Sequence, residues 1–144
     1  MSTDDEVREL LLVMPRIIGR IKRIAVPDAL RELELAPRHL SLLSMLLLDG
    51  PQTVSELAGS LGLAPTTVSL LVGDLSRKGV LDRREDEADR RRRIVDISDA
   101  HRQDITAWLA AGGRAWRAAL APLSAAERRM VVDTMLRYES ASAG

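Results

Sequence analysis

Along the first part of the chain Val7, Leu10, Leu11, Met14, Ile18, Ile21 and Ala25 recur at helical spacing and give a single apolar stripe. Pro15 falls inside that stripe. It should kink or interrupt the helix, because proline lacks an amide hydrogen and its ring crowds the preceding turn. The stretch from Val26 to Pro37, "VPDALRELELAP", reads as a connector with some helical character. "RHLSLLSMLLLDG" then predicts a second helix that stops near Gly50. Thr53 and Glu56 have the T-x-x-E spacing of a capping box and open a short helix, "VSELAGSL". Gly62 allows a tight turn. "APTTVSLLVGDLSRKG" predicts a further helix, with Pro65 near its first turn and Gly79 just beyond its end.

Two helices joined by a brief glycine-containing turn form the signature of a helix-turn-helix. Leu57, Ala58, Val68 and Leu71 are placed where the pair must pack. "VLDRR", a charged turn and "RRRIVDIS" follow, which predicts two short strands around a polar tip, a β-hairpin. Val95 and Ile97 share the strand face that should pack on the body, and Ile94 lies on the other. From Asp99 to Ala121 the pattern is helical again, with Ile105, Trp108, Leu109, Trp116 and Leu120 as its apolar members. Gly112-Gly113 in its middle marks a weak point, or a place where another backbone approaches closely. Pro122 ends this helix. Ser124 and Glu127 form a second capping box for a last helix, with Met130, Val131, Thr134, Met135 and Tyr138 near one face.

The fold expected is mainly α: a winged helix-turn-helix with N- and C-terminal dimerisation helices and one small β-hairpin wing. Residues 1–36 should be the first dimerisation helix and connector, 37–98 the DNA-binding lobe and 99–144 the C-terminal dimerisation helices, all within one structural domain. A winged-helix core of this kind would leave the terminal stripes wet, at about 25 cal/mol per Å² of apolar surface. Interdigitation of terminal helices from two chains would cover them, so a homodimer is expected.

Charge changes the picture only locally. With 144 residues, 21 basic and 21 acidic side chains, the chain has no formal net charge, so a polyanion must be met by a patch rather than by the whole surface. There is no cysteine, which removes disulfides, thiolate metal sites and thiol redox sensing. The acidic start "MSTDDE" resembles no secretory signal, and the apolar runs are too short to cross a bilayer. A cytoplasmic location and no membrane partner are expected. Two tryptophans, one tyrosine and no phenylalanine offer little for stacking single-stranded bases.

The positive charge concentrates in "DEADRRRRIVDIS", residues 86–98, where Arg90, Arg91, Arg92 and Arg93 stand at the hairpin tip. A guanidinium is planar and weakly hydrated, which suits a narrow DNA groove of high negative potential. Asp89 can hold one arginine extended and so reduce the rotamer entropy lost on binding. In a winged helix-turn-helix the second helix enters the major groove and the wing reaches the flanking minor groove.

The sequence closely resembles the MarR family of bacterial transcriptional regulators over residues 7–139. The likeness is strongest from "TVSELAGSLGLAPTTVSLLVGDLSRKGVLDRREDEADRRRRIVDIS". Gly79, Arg83, and Asp89 with Arg91 match the family's glycine, its arginine four residues on and the D-x-R of the wing. The resemblance implies an obligate dimer, Arg91 in the minor groove with Asp89 supporting it, and Thr66, Thr67 and Ser69 facing the major groove. Arg77, Lys78, Arg83, Arg90 and Arg92 complete the expected DNA contacts. It implies repression from a pseudo-palindromic operator whose half-sites lie about 10 base pairs apart. The sequence departs from the family in having Leu70 where an arginine is common and Pro65 where a polar residue is common. Those departures weaken guanine reading by this helix and shift sequence choice toward DNA shape and the wing. His101 replaces a common glycine.

Family members bind small aromatic or phenolic acids, and by analogy Trp108 and Trp116, with Met14, His39 and Met45, would line such a cleft. Large apolar residues at helical spacing also suit a dimer core, and His39 at a helix start also suits a capping role. No cofactor and no metal site are expected. Two separated histidines, no cysteine and no phosphate-binding loop provide no catalytic constellation, so the chain does not read as an enzyme. The competing reading is a winged-helix module that binds protein and not DNA.

Overall fold

The computed structural model describes residues 2–23 and 27–143; Ala25 and Val26, assigned above to the first helix and the connector, lie outside them. The elements in chain order are α1 (Thr3–Arg23), α2 (Asp28–Arg31), α3 (Pro37–Asp49), β1 (Gln52–Thr53), α4 (Val54–Leu61), α5 (Pro65–Arg77), β2 (Leu81–Glu85), β3 (Arg93–Ile97), α6 (Asp99–Leu120) and α7 (Ala125–Ser142). Among the described residues no single helix is long and apolar enough to cross a membrane.

The helix starts follow the local chemistry. Pro37 and Pro65 each occupy a first-turn position, where the missing amide costs no hydrogen bond. Thr53 Oγ1 accepts the Glu56 amide at 3.2 Å to open α4. Ser124 and Glu127 complete a reciprocal box at α7: the Ser124 amide donates to Glu127 at 2.8 Å, and the Glu127 amide donates to Ser124 Oγ at 3.2 Å. The α4 box is only half formed. Thr53 stands opposite Ile94 in the sheet, and the Glu56 carboxylate takes the Thr53 hydroxyl at 3.1 Å instead.

Between α4 and α5 the axis turns through 115°, within the range of a helix-turn-helix. Gly62 makes the turn at φ +66°. Gly79 ends α5 at φ +77°, where the Val80 amide reaches back to the Leu75 carbonyl at 2.9 Å and the Gly79 amide to that of Ser76 at 3.1 Å. This is a Schellman closure, completed by burial of both Leu75 and Val80.

The sheet has the order β1-β3-β2 and is antiparallel throughout. Leu81 pairs with Ile97 and Glu85 with Arg93, which sets the hairpin register. Val95 and Ile97 are buried and Ile94 is half-buried, as the alternation requires. The two-residue strand β1 adds a third member to the expected hairpin.

Two helices are more continuous than their sequences suggest. Pro15 does not interrupt α1. It removes one backbone hydrogen bond, to the Leu11 carbonyl, from a helix of 21 residues. Gly112 and Gly113 lie within an unbroken α6. A side chain at Gly112 would meet open space and one at Gly113 only the Arg117 side chain, so the close backbone approach is not found among the described residues.

Contacts divide the chain into two units, one ending at Ala110 and the other beginning at Ala111. The core lies in the first and is wholly aliphatic. Leu42, Leu43 and Leu46 of α3 meet Leu57 of α4, Val68, Val72 and Leu75 of α5, the sheet residues Val95 and Ile97, and Ile105 of α6. In the second unit α7 has no buried residue.

Candidate nucleic-acid interface

Helix α5 buries Val68, Val72 and Leu75 and turns its other side outward. Thr66, Ser69 and Leu70 on that side are exposed, and Thr67 is half-buried. Near its end Asp74 gathers two cations and the N–H of a histidine. Its carboxylate lies 3.0 Å from His39 Nε2, 3.6 Å from Lys78 Nζ and 3.7 Å from Arg77. Lys78 donates to the Leu33 carbonyl at 2.7 Å and is 28% exposed, so it braces the connector against α5 rather than projecting outward. Arg77 remains exposed.

The wing rises from β2 and β3. Arg83 on β2 donates to Ser76 Oγ of α5 at 3.2 Å and ties the wing to the helix. At the tip the Arg92 amide donates to the Asp89 carbonyl and the Asp86 amide to the Arg92 carbonyl, each at 3.0 Å, which closes the loop. Asp89 accepts the Arg91 amide at 3.1 Å and the Arg91 guanidinium at 3.2 and 3.4 Å. Those bonds, the side-chain one first, hold the Asp89 carboxyl below the usual carboxylate range. The Arg91 side chain is nevertheless 91% exposed.

The four arginines are therefore not equivalent. Arg92 bonds Glu56 of α4 and lies 3.9 Å from Asp86. Arg93 lies 3.6 Å from Glu85, its partner across the strands. Arg90 is exposed and has no ion-pair partner among the described residues. The acids thus hold Arg92 and Arg93 and leave Arg90 and Arg91 outward. At the wing base, Ser98 Oγ donates to the Gly79 carbonyl at 2.7 Å, and Arg102 of α6 lies 3.0 Å from Asp96. Sequence reading missed Glu56, Asp74 and Ser76. Only Glu56 carried a signal, and that signal was for capping.

The residues assigned to an effector cleft are distributed. Trp108 lines a 200 Å³ hollow with Leu30, Arg31, Glu34, Leu35 and Leu40. Trp116 lines a different one of 290 Å³ within the second unit, with Leu120, Val131, Val132, Met135 and Leu136. Met45 packs against the core and Met14 is half-buried in α1. His39 is buried and fully used: Nδ1 accepts the Ala36 amide at 3.0 Å, which puts the hydrogen on Nε2, facing Asp74. Among the described residues no group of three or more His, Asp or Glu is arranged to hold a metal ion.

Residues 33–92, which span α3 to the wing tip, match the family model described as MarR family. No curated protein matches the chain. Among solved structures, a probable transcriptional regulator from Pseudomonas aeruginosa is 26% identical, with a TM-score of 0.59, covering 95% of this chain and 99% of that one. The S. aureus MepR–DNA complex is 21% identical, with a TM-score of 0.60, covering 90% and 96%. The Streptomyces coelicolor regulator PcaV, in complex with its natural ligand, is 21% identical, with a TM-score of 0.56, covering 92% and 96%.

Proposed function

We propose that this chain, whose residues 33–92 match the MarR family model and which shares its fold with solved transcriptional regulators, binds duplex DNA as a two-fold dimer and represses transcription from a pseudo-palindromic operator. The observation that carries this reading is the wing tip, where Asp89 orients Arg91 and yet leaves its side chain exposed. A guanidinium held extended before binding loses less rotamer freedom on entering a groove. Arg91 and Arg90 enter the minor groove, and Thr66, Thr67 and Ser69 face the major groove or its phosphates. Arg77 contacts phosphate. Arg83, Lys78 and Asp89 position the wing and helix, and Arg92 contacts DNA only when it leaves Glu56. MepR, which shares this fold, is solved as a DNA complex, which supports DNA as the partner.

The dimer is supported by the exposure of Leu10, Leu11, Ile18 and Ile21 in α1 and of Met130, Leu136 and Tyr138 in α7 within one chain. Relief by a small aromatic acid is proposed at the hollow beside Trp108, whose 200 Å³ suits a single ring. With Trp116→Phe the remaining tryptophan fluorescence reports that hollow, and benzoate should quench it saturably; a flat titration removes the site.

The deciding experiment is selection from a random duplex library by the full-length protein, followed by footprinting. It should yield a two-fold sequence protected at two half-sites. Recovery of unrelated, unprotected fragments would favour the protein-binding alternative.

A further inference from the structure

We propose that Leu70 selects DNA sequence by packing on the C5 methyl group of thymine in the major groove, an inference that rests on the DNA-binding reading above. Thr66, Ser69, Leu70 and Gly73 follow the i, i+3, i+4, i+7 spacing of one helix face, opposite buried Val68, Val72 and Leu75. Leu70 is 75% exposed on that face, and its isobutyl group is the largest apolar surface there. Gly73 lies under two guanidinium groups: a side chain there would meet Arg77 at 3.4 Å and Arg83 at 3.7 Å. The outward face therefore runs from hydroxyls through a leucine to a pair of cations.

From Pro65 to Gly73 the sequence PTTVSLLVG contains no arginine, lysine, asparagine, glutamine or acid. The side chains that bond guanine O6 and N7, adenine N6 and N7, or cytosine N4 are therefore missing from the first two turns of α5. Hydroxyls bond phosphates or many base edges and discriminate weakly between them. Thymine alone among the four bases presents an apolar group in the major groove. Leucine pressed on any other edge would strip water from a donor or acceptor and offer no bond in return. The gain and the penalty thus favour the same base. Arg77, beyond Leu70, supplies charge for the adjacent phosphate without reading sequence.

The probes are duplexes recovered from a random library by the full-length protein, with each thymine replaced in turn by uracil. Uracil pairs identically and lacks only the methyl. One position in each half-site should bind about fourfold more weakly for each methyl removed. Leu70→Ala should bind the thymine and uracil duplexes equally at that position, which isolates the pairwise contact. Its thermal unfolding should match the parent, since Leu70 lies outside the core. If no uracil weakens binding, or if Leu70→Ala keeps the thymine preference, the assignment falls while DNA binding stands. If the library yields no bound duplex, the DNA-binding reading itself falls, and this assignment with it.

Discussion

Asp89 and Glu56 make opposite use of neighbouring arginines. Asp89 binds Arg91 from within the tip and leaves it outward, whereas Glu56 draws Arg92 back onto α4. Arg91→Ala should therefore weaken DNA binding and shallow its salt slope by about one unit, measured by anisotropy titration at several salt concentrations. Asp89→Ala should keep the slope and weaken binding less than Arg91→Ala does, since only the ordering of one side chain before binding is lost. Glu56→Gln should do the reverse of Arg91→Ala, tightening binding and steepening the slope as Arg92 is freed. Unchanged affinity in Glu56→Gln would show that Arg92 stays away from DNA regardless of its partner. The Asp89–Arg91 pair was legible, because its members stand two residues apart. The Arg92–Glu56 pair was not, since 36 residues separate them and only the fold brings them together. The capping role of His39 was legible, since Ala36 stands three residues away, but its contact with Asp74 and that of Lys78 with the Leu33 carbonyl join separate elements and no local spacing encodes them.

Helices α4 and α5 and the hairpin were readable because their ends are written in short-range chemistry. Thr53 caps, Pro65 starts and Gly79 stops, each acting within a few residues. Gly79 also sets where β2 begins, so Gly79→Ala should cost about 1–2 kcal/mol for the left-handed conformation in urea denaturation. A neutral result would mean that the closure of α5 relaxes into another turn. Strand β1 was missed because two residues are too few to show an alternation. Pro15 does not interrupt α1, because it removes a single hydrogen bond from a helix of 21 residues that continues on both sides of it. The cap of α7 carries a pH dependence. The Ser124 amide, and then its hydroxyl, hold the Glu127 carboxyl below its ordinary value. Its contribution is thus complete above the ordinary glutamate pKa and is lost as pH falls through the lowered one. Helicity followed by far-UV circular dichroism should decline in that acidic window, and Glu127→Gln should remove this component; an identical acid limb in the variant would assign the loss to other groups.

For the whole molecule, the wing base is tied to the start of α6. Ser98 and Arg102 make that tie, and the helix continues into the second unit. The winged-helix lobe buries its aliphatic core within one chain, while α1 and α7 keep leucine, isoleucine and methionine exposed. Light scattering at micromolar concentration should therefore report a dimer, and Leu136→Asp should shift it toward monomer; a parent that stays monomeric would leave those faces without the proposed role. The central claim is that the exposed guanidinium groups of Arg90 and Arg91 at the wing tip meet duplex DNA. Its most direct test is the slope of log affinity against log salt on a selected duplex, for the parent and for Arg90→Ala with Arg91→Ala. The parent slope should be steep, several units below zero, and the double variant about two units shallower. A parent affinity indifferent to salt, or a double variant with the parent slope, would contradict the account.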